Sequence, residues 1–575
     1  MSLAVSPLSA YGVLDPVVMQ QSPTYPVVSG SRAVSYQVVA ANSVSEGSTG
    51  GNLQFDVNPA HENVYLDRRI YLRLPVRLKL AVTGCENTVR VINANGFGIR
   101  SFPAQKAMET IVMNINGLPS SIEIGKVISA LELFNIKDRM RNIDFSKCAT
   151  YPICQSEAFA NLAGTARSPL ALRSAGPQGA LNLGQEFTVV SNAVTSGAAG
   201  VGIVDFVTCE PLYLSPLHFG PIQDDHSAFL GINSMSLQFN LASGGGSRMI
   251  AVDPLQGGLY TSESTARATN AICTMWFQNH VNSNGSESAW SYPNQSQPAV
   301  LVKQLAPSEI DENLKMKIKN YPYTQIRVWN TGIGNKATGS AASQVVSSNM
   351  QLASVPSRVY AYIRLKDSEL RRNPFHPDTF LQITSLNCLW GVDSRLTGAS
   401  QEHLYDIACI NGLDAVDWQS WNGNGINLAG AAATFGTVKY TGCGSVLSFS
   451  PMDLGLPLRQ APGKSEYFNL QLTVGYKNQT AYDQSVDLFV CVVSQGIYSI
   501  YDGQASALLG ILSENDVLNA NKSAMSSMLS YGEAREVFAG SAMGDLKGEM
   551  KAVMESAKPA SSKGVSRKTL RERLA

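Results

Sequence analysis

Charge is what this sequence has least of. Asp, Glu, Lys and Arg supply only 15% of its 575 residues, against about 25% in ordinary soluble chains, and the two signs cancel at 44 each. A chain without net charge sets up no long-range field, so any nucleic-acid contact has to be local. So little charge points instead to a surface buried against other subunits. Long apolar runs are missing as well: no stretch reaches the eighteen or more residues of a membrane-spanning helix, and the N-terminus lacks the pattern of a secretory signal. Without that signal, the sequons at Asn284, Asn294, Asn478 and Asn521 are not expected to carry glycans.

The sequence is equally short of reactive constellations. Its nine cysteines, among them Cys85, Cys148, Cys154, Cys209, Cys273 and Cys491, are scattered, odd in number and never spaced C-x-x-C, which reads as reduced thiols. Asp224-Asp225-His226 and His376-Pro377-Asp378 set carboxylates beside histidines, but their spacing matches no metal-ligand motif, and polar residues that cap loops are the simpler account. Thr331–Ser340, "TGIGNKATGS", is not a phosphate loop, and "GCGSV" at Gly442–Val446 is not a nucleophile elbow. No catalytic residue, metal ligand or cofactor-binding residue is therefore assigned.

What the sequence does contain is strand alternation. In "RRIYLRLPVRLKLAV", Arg68–Val82, the residues Ile70, Leu72, Leu74, Val76, Leu78, Leu80 and Val82 share one face. Arg69, Tyr71, Arg73, Arg77 and Lys79 share the other. Short runs of this kind, broken by Gly, Pro, Asn and Ser, continue from about 52 to 500 and predict sandwiches or barrels. At this length more than one core is expected.

Several features recur in order. "NLQFDV" (Asn52–Val57) is echoed by "SLQFNL" (Ser236–Leu241), and the basic-aromatic strand by "RVYAYIRLK" (Arg358–Lys366). A Phe-Pro breaker, a further strand and a helical candidate follow each copy, the helices spanning Ile122–Phe134 and Gln401–Leu413. "EFTVV" with "VDFVTCEPLYL" and "YFNLQLTV" with "VDLFVCVVSQGIYSI" complete the match. Two similar β modules in tandem account for this order. The reading predicts an N-terminal arm over 1–51, a first module over 52–225, a second over 226–501 with long loop insertions, a helical segment over 502–556 and a basic tail over 557–575. The junction is expected near Ser215–Gly231. A basic-aromatic stripe present in both modules of a neutral chain reads as a structural face, packed on the sister module or a neighbouring subunit and balanced by Glu62, Asp67, Asp367 and Glu369.

Two local features invite a binding role. Lys558, Lys563, Arg567, Lys568, Arg571 and Arg573 crowd the last residues with Glu572 as the only acid, and form a candidate contact for nucleic acid or an inner surface. Trp418 and Trp421, set among Asp, Asn and Gly, form a candidate exposed recognition loop, or else anchor their own loop. The run Phe538–Gly544, "FAGSAMG", is a candidate maturation cleavage point.

Tandem β modules, a low-charge arm, long loops in one module and a helical, basic C-terminus together resemble the double jelly-roll major capsid proteins of icosahedral DNA viruses. The resemblance implies a mainly β fold of two eight-stranded jelly rolls. It also implies homotrimeric, pseudo-hexagonal capsomers tiling a virion shell. Further implied contacts are minor capsid proteins, the viral genome or an internal membrane through the tail, and a host receptor through second-module loops. The competing readings are a single-jelly-roll capsid subunit with a projecting domain or a minor capsid or spike protein, a β-sandwich adhesin or carbohydrate-binding protein, and an enzyme on a β scaffold.

Overall fold

The computed structural model describes residues within 32–134, 187–337 and 341–517, with short interruptions of which 253–267, 279–290 and 308–318 are the longest. Strands dominate, and they form two modules of the same strand order. In the first module, chain order runs through Arg32–Ala40, a split second strand (Ser43–Val44 and Gly51–Asp56), a split third strand (Tyr65–Asp67 and Tyr71–Thr83), Met108–Ile115, Leu118–Ile122, Ala199–Pro211, Met235–Leu241 and a split eighth strand (Ala271–Trp276 and Ala299–Pro307). The second module runs through Lys319–Lys336, Ser343–Val346 with Met350–Ser354, Arg358–Leu365, Gln382–Trp390, Asp393–Arg395, Val446–Phe449, Ser465–Lys477 and Gln484–Tyr501.

In each module one sheet has the order first, eighth, third, sixth and the other the order second, seventh, fourth, fifth. This is the jelly roll, and two complete copies exclude a single jelly roll with a projecting domain. The pairing is antiparallel throughout both main sheets, so each strand needs one apolar face and tolerates polar residues on the other. Leu72, Leu74, Val76, Leu78, Leu80 and Val82 are all buried, as their shared parity requires.

The strand pairing corrects the predicted boundaries. "NLQFDV" and "SLQFNL" do not open two modules; they are hydrogen-bonded neighbours in one sheet, with Leu53 opposite Phe239 and Phe55 opposite Leu237. The register sets Gln54 against Gln238 and Asn52 against Asn240 on one face and Leu against Phe twice on the other, where the Phe55 and Phe239 rings meet edge-on at 5.6 Å. Their likeness reflects this shared core and not a duplication. The first module therefore extends to Pro307, whose strand pairs with Arg32–Ala40, and the second opens at Lys319. The expected junction at Ser215–Gly231 falls inside the first module.

Two further expectations shift for the same reason. The arm predicted over 1–51 contains the first strand, Arg32–Ala40, which its low charge and valines suit to an edge. The helical reading that begins at 502 is overturned at its start, because Gln504–Leu509 pairs antiparallel with Gly496–Tyr501 and alternates exposed with half-buried residues. "VDLFVC" in the second module corresponds by sheet position to the split eighth strand of the first and not to "VDFVTC".

The helical candidates are helices, Ile124–Leu131 and Gln401–Ile410, each following the fifth strand of its module. The second is opened by Ser400 in a reciprocal cap with His403. Cys85, Cys209, Cys273, Cys388, Cys409 and Cys491 form no disulfide with one another. Burial pushes the thiols of Cys273, Cys388 and Cys491 up to about 12, so these sulfurs stay protonated. Cys148, Cys154 and Asp224-Asp225-His226 lie outside the described residues.

Candidate functional site at the module junction

The centre of the basic-aromatic stripe is buried in both modules, at Arg77 in the first and at Tyr360, Tyr362 and Arg364 in the second, by different means. In the first, Arg77 lies directly opposite Asp205 and makes a bidentate pair, 2.7 Å at both contacts, with both side chains fully buried. Ser291 closes over the pair, donating its backbone N–H and hydroxyl to Asp205 at 3.1 and 2.7 Å. Ser291, which falls between the two halves of the eighth strand, thus covers the Asp205 carboxylate. Arg69 pairs with Asp67 at 3.0 Å, one of the acids expected to balance the stripe. Glu62 lies outside the described residues.

In the second module the stripe packs on the sister module. The Tyr362 hydroxyl donates to the Lys126 carbonyl at 2.6 Å, and Arg364 donates to the Gly125 and Lys126 carbonyls at 3.3 and 3.4 Å. Both carbonyls belong to the helix Ile124–Leu131 of the first module. Phe134, just past that helix, meets the Tyr360 ring edge-on at 5.1 Å. Arg364 also lies over the Phe489 ring at 4.5 Å and pairs with Asp367 at 2.7 Å.

Behind this contact lies a buried charge network that spacing alone does not reveal. Asp378, from the second module, accepts from Arg100 at 3.3 Å and Lys106 at 3.0 Å and also pairs with Arg248, all three cations coming from the first. Lys106 further bonds Glu132 at 2.8 Å, and Ser101 donates to the same carboxylate at 2.5 Å. Arg100 reaches the carbonyls of Ile250 and His376 at 2.8 and 2.7 Å. Asp378 is therefore more than a loop cap: it ties together three cations that would otherwise be buried against one another.

Short helices aim these cations. Lys106 stands on Pro103–Ala107, whose first N–H groups at Ala104 and Gln105 donate to buried Glu210 at 2.6 and 3.1 Å. Burial pushes the Glu210 carboxyl up despite these hydrogen bonds. Arg248 stands on Gly246–Met249, which packs close to the first helix; a Cβ at Gly245 would lie 2.4 Å from the Ala107 carbonyl oxygen. Sequence reasoning singled out His376-Pro377-Asp378 but had no means of pairing it with Arg100, Lys106 and Arg248 more than a hundred residues away.

Of the residues assigned a binding role from sequence, Trp421 is fully buried and donates its indole N–H to the Val446 carbonyl at 3.1 Å. Trp418 is half-buried, stacked on Trp421 at 5.9 Å and edge-on to Tyr405 at 5.4 Å. The pair anchors its own loop and does not form an exposed recognition tip, because the short helix Trp418–Trp421 turns both rings onto the core. Lys558, Lys563, Arg567, Lys568, Arg571 and Arg573 lie outside the described residues, as does Phe538–Gly544.

Two substitutions check the junction. Asp378→Asn removes the carboxylate shared by three buried cations and is expected to cost about 3–5 kcal/mol, read as a lower midpoint in thermal or chemical denaturation. Burial alone would raise the Asp367 carboxyl, but the Arg364 and Arg371 guanidinium groups outweigh it and hold the group below the usual carboxylate range. A depressed carboxyl contributes stability that is present above its unfolded value, about 3.9, and is lost as pH falls through the folded value. Asp367→Asn is expected to flatten that acid limb of a stability-against-pH curve while leaving the neutral limb parallel to wild type.

Comparison with known proteins follows the same division of the chain. Residues 11–278 match the family described as Sputnik virophage major capsid protein 1st domain, and residues 321–496 match the Major capsid protein V20 C-terminal domain. The capsid protein V20 of Sputnik virophage is 24% identical over 561 residues, spanning 94% of this chain and 86% of the relative. Among solved structures, a chain of the cryo-EM structure of the Sputnik virophage superposes with a TM-score of 0.70 at 22% identity, covering 88% of this chain and 94% of that one. The mavirus major capsid protein superposes with a TM-score of 0.64 at 16% identity, covering 88% and 97%. Family matches to both modules in order, on a fold of two complete jelly rolls, lead to one conclusion: the chain belongs to the double jelly-roll major capsid proteins, of the virophage type, and builds the shell of a virion.

Proposed function

We propose that three copies of this chain form a pseudo-hexagonal capsomer, and that capsomers tile the shell with the basic C-terminal tail turned inward onto the genome. The observation that carries the first part is the pair of jelly rolls with identical strand order, locked side by side through a buried junction. Each chain then presents two similar blocks at a fixed angle, and a threefold axis multiplies them to a near-sixfold outline. Exposed apolar side chains on the first strand, Val34, Tyr36 and Val38 at 43, 77 and 58% exposure, suit lateral burial against a neighbour and are unusual for a strand left in water.

The tail reading rests on charge. Six basic residues among the last eighteen of a neutral chain concentrate attraction for phosphates where the rest of the surface offers none.

Native mass spectrometry of the purified chain is expected to show a trimer that persists on dilution; a monomer at micromolar concentration contradicts the capsomer. Truncation after Ala557 is expected to leave the trimer intact and abolish DNA retention. Binding by the full chain should weaken with salt at a log–log slope of about −0.9 for each phosphate neutralised. Unchanged DNA retention by the truncated chain defeats the tail assignment, as does tail-dependent binding to anionic vesicles without binding to DNA.

A further inference from the structure

A small cleft opens at the module junction beside the charge network, lined by Lys106, Ser129 and Arg248 of the first module and by Arg364, Asp367 and Arg371 of the second. Its enclosed part is about 10 Å3, room for about one water, and it widens into a mouth open to solvent that brings the total empty space to about 270 Å3. Around it the charges do not balance. Arg100, Lys106, Arg248, Arg364 and Arg371 face Glu132, Asp367, Asp378 and Asp487, the last directly opposite Arg364 in the sheet, so five cations meet four carboxylates in a region where most of these groups are nearly out of solvent.

Two donors in the lining are left over. The Arg364 Nε–H is buried and has no hydrogen-bond partner, although the other end of the guanidinium pairs with Asp367. Arg371 is half-buried at the lip, and its side chain makes no hydrogen bond or ion pair within the described residues. Its backbone is held in place, since the carbonyl accepts from Ser247 at 2.8 Å and the N–H donates to the Asp367 carbonyl at 3.0 Å. A Cβ at Gly244, whose φ is +69°, would lie 2.6 Å from that same Arg371 carbonyl oxygen, so the first module presses directly on the segment carrying the free guanidinium.

We propose that this cleft binds one phosphate-class oxyanion, which bridges the two modules. Guanidinium groups favour a tetrahedral oxyanion over a halide because their planar N–H forks engage two oxygens at once. Arg371 and Arg364 approach from the second module and Arg248 and the Ser129 hydroxyl from the first, while Lys106, whose three N–H groups are taken by Ser101, Glu132 and Asp378, adds only its charge. The bound ion neutralises the surplus positive charge and adds hydrogen bonds that cross the junction. Consistent with an electropositive site, burial and then the charges of Arg100, Arg364 and Arg371 lower the pKa of Arg248. The ion need not be a cofactor of assembly; its structural effect is to clip one jelly roll to the other.

The test uses the full-length trimer in low-salt buffer and follows phosphate binding by 31P line broadening, with thermal melting in parallel. Wild type is expected to broaden the phosphate signal saturably and to gain melting temperature with about 10 mM phosphate beyond the gain in chloride of equal ionic strength. Arg371→Gln removes a guanidinium without breaking any ion pair and is expected to weaken binding about tenfold with the trimer retained. Arg395→Gln, on an exposed pair with Asp393, is expected to bind as wild type does and controls for general loss of charge. Adenosine monophosphate in place of phosphate distinguishes the source: competition with the phosphate signal assigns an esterified phosphate, and no competition assigns the free ion. No saturable broadening in wild type, or equal broadening in wild type and Arg371→Gln, overturns the proposal.

Discussion

One carboxylate holds the two halves of this molecule in register. Asp378 lies in the segment leading into the fourth strand of the second module, yet its partners Arg100, Lys106 and Arg248 all belong to the first. Such a network adds less net stability than well-packed apolar residues of the same volume, because each ion gives up its water. Its consequence is orientation. Any other docking of the two sandwiches strands cations in a low-dielectric interior, so the angle between the modules is set by charge and filled in by the Tyr360, Tyr362 and Phe134 contacts.

That fixed angle matters for a shell subunit. A tile repeated many times turns a small error in the angle between its two blocks into a mismatch at every neighbouring contact, so the junction has to be stiff while the outer surfaces stay adaptable. The distribution of residue types follows this division. Among the described residues, buried charge gathers in the junction and in pairs such as Arg77 with Asp205, whereas valine, tyrosine and isoleucine are left exposed on strands such as Arg32–Ala40 and Ala271–Trp276. The low overall charge of the chain is thereby the signature of a protein whose surface is meant to be covered.

Much of the architecture was legible because strand alternation is local. The third strand of each module was visible in its period of two, and the helices after the fifth strands were visible in their apolar spacing. Phasing the duplication went wrong at "NLQFDV" and "SLQFNL", since residues that pair across one sheet come to resemble one another as strongly as residues that occupy equivalent places in two modules. "GQASALLG" misled in a different way. Ala and Leu favour a helix in isolation, but pairing with the long last strand of the second module outweighs propensity once that edge is available.

By itself, the sequence determined the class of fold, the presence of two modules and the faces their strands bury, because each of these follows from the order of apolar and polar residues along a few positions. Only the tertiary structure decided where one module ends, which charges lie inside, and that Trp421 points into the core. These depend on which distant segment covers which face. Arg77 reads as a surface residue until Asp205 and Ser291 are brought over it, and Asp378 reads as a loop residue until three cations converge on it. The burial of a charge is a property of its surroundings, and those are assembled from parts of the chain more than a hundred residues apart.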